Sequence, residues 1–253
     1  MIDRKPTLST NEALETQLRA EELTRRYESR PARDIVRDCC AELFANRVAA
    51  VSSFGAEAAI LLHMISEVAP ATPVVFLDTD KHFVETSSYV MQLTRELGLG
   101  VLVSAFPGKA EVAVEDPSGT LCSLDVDRCC HIRKTLPMMR ALRPYEAYFT
   151  GRKQFQTQDR QSMAPFEVYG RWMRVNPLWN WGPEQVEDYF STHKLPAHPL
   201  VAEGYKSIGC QPCTRAVKEG EDARAGRWSE SEKTECGIHI TPDGKVIRTG
   251  GGT

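Results

Sequence analysis

The sequence predicts an α/β domain built on a parallel sheet, and three observations carry that prediction. Short apolar runs of strand length alternate with amphipathic stretches of helix length. The early runs end in small or acidic residues of the kind that turn a chain. Hydrophobic residues make up 42% of the 253 positions, enough for one sizeable core.

Residues 9–30 read as a charged helix carrying Leu14, Leu18 and Tyr27, and Pro31 opens a second one. There Ile35, Val36, Cys39, Cys40, Leu43 and Phe44 recur at helical spacing on one apolar face. Val48 to Ser52 is a buried-type strand, followed by a helix from Glu57 to Val68. Val74 to Leu77 is the next strand, followed by a helix from about Phe83 to Leu97, and Val101 to Ser104 is a third strand. From Pro107 to Asp127 the pattern is irregular and reads as loop. A helix is expected over His131 to Leu142, strands over Ala147 to Thr150 and Trp172 to Val175, and a helix over Pro183 to His193. Beyond Pro196 periodicity fades. This part is expected to fold over the site and to be mobile when the site is empty, ending in Gly250-Gly251-Gly252.

A net charge of -3 argues against a general nucleic-acid binder, though it leaves room for a local basic pocket. No apolar run approaches the roughly 20 residues of a membrane span, and Met1 to Thr10 lacks the apolar core of a signal peptide. The expected location is the cytoplasm. In that reducing compartment eight cysteines point to metal ligation or catalysis rather than disulfides.

The motifs lie at predicted strand ends. Ser52-Ser53-Phe54-Gly55-Ala56-Glu57 turns from strand to helix through small residues, which suits an anion held by backbone N–H groups, although an ordinary turn reads the same way. It is not a Walker A loop, because no Gly-Lys-Ser/Thr follows. Asp78-Thr79-Asp80 sits on the same sheet edge, where open α/β sheets bind ligands. Cys129-Cys130 and Cys210-Gln211-Pro212-Cys213 supply four thiols that suit zinc or an iron–sulfur cluster. Adjacent cysteines crowd a single zinc ion, so the pattern favours a cluster with an iron for each thiolate. Cys210 to Cys213 also has the spacing of a dithiol redox motif, without the βαβ context of one. Cys39-Cys40, on an apolar face, reads as packing, and Cys122 as structural. Cys236 lies between Lys233 and His239, which would favour its thiolate. Arg133, Lys134, Arg152, Lys153, Arg160, Arg224 and Arg227 accompany these motifs and suit phosphate or sulfate oxygens.

Taken in order, Ser52 to Glu57, Leu77-Asp78-Thr79, Cys129 to Lys134, Ser207 to Thr214, Arg224-Ala225-Gly226-Arg227-Trp228 and Glu235-Cys236-Gly237-Ile238-His239 resemble the assimilatory adenylyl-sulfate reductases. The resemblance runs from about Val48 to His239. It implies an adenine-nucleotide α-hydrolase-like fold, with residues 1–228 forming the nucleotide- and cluster-binding domain and 229–253 a catalytic tail. It also implies a [4Fe–4S] cluster on Cys129, Cys130, Cys210 and Cys213, and Cys236 as the nucleophile. Lys134, Arg224, Arg227 and His239 would surround the phosphosulfate, with Ser52, Ser53, Gly55, Leu77 and Asp78 lining the loops beneath it. Arg152 and Arg160 carry over less directly, because the spacing from Gln154 to Gln161 departs from the family pattern, as does Asp80, where Gly is common.

The implied reaction is reduction of adenosine 5′-phosphosulfate to sulfite and AMP through a Cys–S-sulfonate, in sulfate assimilation and cysteine biosynthesis. With a short tail after His239, the reductant is expected from outside: thioredoxin, or glutaredoxin. Alternatives are the 3′-phosphorylated substrate, an ATP-pyrophosphatase-type enzyme or an iron–sulfur sensor. Homo-oligomerisation is left open.

Overall fold

A computed structural model describes residues 10–229, together with Ser231, Lys233 and Glu235. The chain begins with helices α1 (Thr10–Tyr27) and α2 (Ala32–Asp38), the latter continuing as a wide π-type turn over Cys39–Leu43. Alternating strands and helices follow: β1 (Val48–Ser52), α3 (Ala58–Val68), β2 (Val74–Leu77), α4 (Val84–Glu96) and β3 (Leu102–Ala105). Three short helices come next, α5 (Lys109–Glu115), α6 (Leu121–Leu124) and α7 (Val126–Cys130). A π-type turn over His131–Thr135 joins α7 to α8 (Leu136–Ala141). Then come β4 (Ala147–Phe149), β5 (Phe166–Tyr169), β6 (Trp172–Val175) and α9 (Pro183–Thr192).

The six strands form one sheet in the order β3-β2-β1-β4-β6-β5. All neighbours are parallel except β5, which pairs antiparallel with β6. Both sheet faces are buried. Side chains alternate along a strand, so Val48, Ala50, Val74, Phe76 and Phe149 join the core under α1 to α4 and α9. Ala49, Val75, Leu77 and Tyr148 point the other way, onto Met138 and Leu142. Apolar residues on both faces of one strand give the continuous runs seen in the sequence. Cys39 belongs to the first core and Cys40 contacts Thr72, in keeping with a packing role.

Two expectations need correction. The stretch from Pro107 to Asp127 is largely helical, not irregular. Helices α5 and α6 bury no residue, so periodicity could not reveal them. Local hydrogen bonds set helix starts here instead: the Asp116 carboxylate accepts from the Leu121 N–H at the head of α6, and the Asp125 carboxylate caps α7 by accepting from the Arg128 N–H, each at 2.9 Å. The sheet is also not wholly parallel. Phe166 to Tyr169 adds an edge strand through a tight hairpin in which Gly170 takes φ +60.

The strand order places a topological switch point between β1 and β4, whose following loops run in opposite directions across the sheet. A crevice opens there at the carboxyl ends of the strands, the usual ligand position in such sheets.

Candidate active site

That crevice is a cavity of about 540 Å³, of a size that fits a nucleotide. Its floor is the turn after β1. There the Ser52 Oγ accepts from the Phe54 N–H at 3.1 Å, and Phe54 takes φ +50. Gly55 follows, two residues before the Glu57 that heads α3. A Cβ on Gly55 would stand 3.1 Å from the Ile208 carbonyl oxygen, so a bare backbone is what lets the Ile208 loop close over the turn. Ser52, Ser53 and Gly55 all line the cavity.

The turn after β2 is bound to the second cysteine pair. Asp78 Oδ1 accepts from the Asp80 N–H at 3.1 Å, and Asp80 has φ +57, a left-handed conformation that glycine adopts most easily. Thr79 is fully buried, with its Oγ1 3.3 Å from Cys210 Sγ, and the Gln211 N–H donates to the Lys81 carbonyl at 2.8 Å. The Arg133 guanidinium donates to the Thr79 carbonyl at 2.9 Å and to the Asp116 carboxylate at 2.8 Å. Leu77 lines the cavity; Asp78 serves the turn.

Cys129 and Cys130 close α7, and the π-type turn that follows buries Arg133 and Lys134 together. Such turns insert one residue into a helix and recur at functional sites. Cys129, Cys130 and Cys210 are buried, Cys213 is half-buried, and the seven cysteines among the described residues are free thiols. Burial pushes the Cys129 thiol up to about 12, with Cys210, Cys122 and Cys213 adding to the shift. Burial also raises Cys213, helped by Cys210 and opposed by Lys134. The two pairs therefore share one field beside Lys134. Thiols gathered in this way form a donor set suited to a cationic centre. Cys122, read as structural, faces the same group. Among the described residues no three His, Cys, Asp or Glu side chains converge on a single-ion site.

The far wall comes from residues after Cys213. Thr214 and Arg227 form an antiparallel bridge, and the Trp228 N–H donates to the Cys213 carbonyl at 3.1 Å. The Arg227 guanidinium stacks 4.4 Å from the buried Trp228 ring, and its Nε is buried without a hydrogen-bond partner. A buried donor of this kind waits for an acceptor. Arg224 lies 5.9 Å over the same ring.

Arg152 and Arg160 line the cavity but already hold carboxylates. Arg152 is buried against Glu167 at 2.5 Å and Asn176 at 3.1 Å. Arg160 donates to both oxygens of Glu235, at 2.7 and 2.8 Å. Two further cavity residues stand out, Glu57, which the sequence marked only as the end of the turn motif, and His82, which it did not mark. Glu57, before α3, pairs with buried Lys153 at 2.7 Å. His82 uses Nε2 on the Leu77 carbonyl at 2.9 Å and leaves Nδ1 buried without a partner, and no motif in the sequence marked it. Cys236 and His239 lie outside the described residues, as does most of the expected tail.

A nucleotide-sized crevice with a small-residue turn beneath it and a cationic wall makes this an α/β protein with an anion-binding site at the sheet's switch point. Among solved structures, the chain resembles phosphoadenylyl-sulfate reductase from Candida auris with a TM-score of 0.66 and 25% identity, covering 83% of this chain and 98% of that one. Yeast FAD synthetase shares the fold alone, with a TM-score of 0.50 and 14% identity over 80% of this chain and 75% of that one. The family model of the phosphoadenosine phosphosulfate reductase domain matches residues 47–216. Adenosine 5′-phosphosulfate reductase of Mesorhizobium japonicum is 48% identical, covering 82% of each chain. That of Chelativorans sp. is 47% identical over 90% of this chain and 93% of the relative. The chain belongs to the adenosine 5′-phosphosulfate reductases of the phosphoadenosine phosphosulfate reductase family. No helix among the described residues is long and apolar enough to cross a membrane.

Proposed function

We propose that the chain reduces adenosine 5′-phosphosulfate to sulfite and AMP in sulfate assimilation, feeding cysteine biosynthesis. Its fold is then the adenine-nucleotide α-hydrolase type. The observation that carries the reading is the convergence of the Ser52–Glu57 turn, Lys134 and Arg227 on one crevice at the sheet's switch point, with Lys134 also acting on the cysteine pairs behind it.

The nucleotide lies in the crevice with its phosphosulfate over the turn, where Ser52, Ser53 and Gly55 offer donors. Lys134, Arg224, Arg227 and His239 neutralise the phosphate and sulfate oxygens. The unpartnered Arg227 Nε is a donor of the right kind. The Cys236 thiolate attacks the sulfate sulfur and the S–O bond to the phosphate breaks. The bonding pair leaves with AMP, and Cys236 carries the sulfonate. A thiolate of thioredoxin or glutaredoxin then attacks the Cys236 sulfur and expels sulfite. The second thiol of that dithiol reduces the mixed disulfide and restores Cys236.

Cys129, Cys130, Cys210 and Cys213 would hold a [4Fe–4S] cluster. The donors fit in kind, because all four are free thiols, three of them buried, and Cys210 and Cys213 both act on the Cys129 thiol. When bound it would supply a charged centre that tunes the field around Lys134 and the substrate.

Mass spectrometry after incubation with adenosine 5′-phosphosulfate and no reductant tests the reading. A sulfonate on Cys236, absent in Cys236→Ser, is the expected result. An unmodified Cys236 under conditions where the nucleotide binds would overturn it.

A further inference from the structure

The Glu235 side chain is only 10% exposed. Its carboxylate accepts two parallel hydrogen bonds from Arg160, at 2.7 and 2.8 Å, and a third from the Thr157 hydroxyl at 2.8 Å, with Arg224 at 3.9 Å. A surface carboxylate near an arginine makes no such set. This is a bidentate, charge-assisted seat with a third donor, built from a segment 75 residues away.

The seat is joined to the cavity floor. Thr157 and Arg160 belong to two short 3₁₀ turns after β4, Gln154–Gln156 and Gln158–Arg160. Arg160 also donates to Gln156 Oε1, and the other end of that amide donates to Glu57 at 2.7 Å. Glu57 closes the small-residue turn at the start of α3. A hydrogen-bonded chain therefore runs from Glu235 to the loop expected beneath the phosphosulfate. Glu235 directly precedes Cys236.

We propose that Glu235 is a positioning residue for sulfonyl transfer: seated on Arg160 and Thr157, it sets where the chain delivers Cys236. The proposal rests on the reading of Cys236 as nucleophile. Arg160 is then first a receptor for the protein's own carboxylate, and its charge reaches the reaction through the tail. One trans peptide unit spans about 3.8 Å between Cα atoms, so fixing residue 235 sharply limits the volume its neighbour can search. Misplacing a reacting group by about 1 Å can cost a hundredfold in rate. AMP, which does not react with a thiol, has no need of the seat.

The full-length, cluster-loaded enzyme is assayed for single-turnover sulfonation of Cys236 without reductant, with AMP affinity measured in parallel. Glu235→Gln is expected to slow sulfonation on the order of tenfold to a hundredfold. Thr157→Val, which removes one neutral donor, should slow it about threefold to tenfold. AMP affinity should stay within about twofold in both. The charge swap Glu235→Arg with Arg160→Glu should recover part of the rate lost by either single change. Trypsin cleavage after Lys233 in the AMP-saturated enzyme reports the seat without the chemistry, and Glu235→Gln should raise it severalfold. Unchanged sulfonation in Glu235→Gln, or a loss matched by an equal loss of AMP affinity, overturns the proposal. If wild-type enzyme forms no adduct, the nucleophile reading fails, and the cleavage comparison alone decides whether the seat exists.

Discussion

The wholly buried ammonium of Lys153 lies 2.7 Å from Glu57 Oε2 and 3.0 Å from the Gly151 carbonyl, joining the loop after β4 to the turn after β1 across 96 residues. Burial pushes the Lys153 pKa down, against the pull of Glu57. Lys153→Met would leave the Glu57 carboxylate accepting from the Gln156 amide in the cavity floor. Breaking a buried pair costs about 3–5 kcal/mol. Because the Glu57 side chain keeps 28% exposure, the expected loss is about 2–3 kcal/mol. A lowered denaturation midpoint together with weaker AMP binding is the expected outcome, since the same pair shapes the nucleotide turn.

Gly209 and Gly226 look alike in the sequence but predict opposite behaviour. A Cβ on Gly209 would fall on the Arg227 guanidinium, the far end of a flexible side chain, whereas one on Gly226 would fall on the Arg215 carbonyl oxygen. Gly209→Ala should therefore leave the denaturation midpoint nearly unchanged while displacing Arg227. Losing a charge-assisted contact of about 1.5–3 kcal/mol would weaken substrate binding about tenfold or more. Gly226→Ala must move backbone in the bridge between Thr214 and Arg227, and should cost about 2 kcal/mol of stability. Titration of each variant with nucleotide and with denaturant separates the two effects.

Of the three cysteine pairs visible in the sequence, Cys39-Cys40 should differ from the other two in iron retention. Cys213 shares a field with Cys129 and Cys210, whereas Cys40 faces Thr72 at 3.4 Å beside the other core. Cys213→Ser is expected to lose iron and visible absorbance on purification under nitrogen. Cys40→Ser should keep both, since it removes a thiol that packs. Equal iron content in the two variants would remove Cys213 from the ligand set.

Which features the sequence disclosed follows from how each is held. Strands β1, β2 and β6 match their expected bounds because both faces are largely buried and nearly every residue is apolar, Ser52 and Arg174 excepted. Edge strand β5 is half-buried, with Glu167 turned to Arg152 and Arg174, so its apolar run is broken by a charge whose partners lie elsewhere in the chain. The Ser52 turn, Lys134 and the cysteine pairs were legible because their chemistry sits in short contiguous motifs. Arg152 and Arg160 were recognised as cavity cations, but their carboxylates stand 15 and 75 residues away, and no local pattern encodes that pairing. His82 was missed for the same reason: its role depends on which ring nitrogen the Leu77 carbonyl occupies.

His198 supplies a pH dependence away from the cysteines. Its ring is 1% exposed, accepts from the Leu200 N–H at Nδ1 and meets the Thr86 hydroxyl at Nε2, 3.0 Å away. With Nδ1 accepting, the neutral ring carries its proton on Nε2. A second proton would break the Leu200 bond and charge a buried ring stacked edgewise on Tyr89. Burial accordingly pushes its pKa down to about 4, against the pull of Glu85. The unfolded chain takes up a proton near the ordinary value of about 6.5 and the folded chain does not. This contribution is complete above that value and drains away as pH falls toward about 4, by about 2–3 kcal/mol in all. His198→Gln removes the titration, so its stability should depend less steeply on pH than wild type between about pH 6.5 and 4. Urea midpoints for both proteins at several pH values in that window isolate the histidine, because the carboxylates they share cancel in the difference. Parallel curves would mean that His198 is already charged in the fold, and that Leu200 is held by something other than its Nδ1.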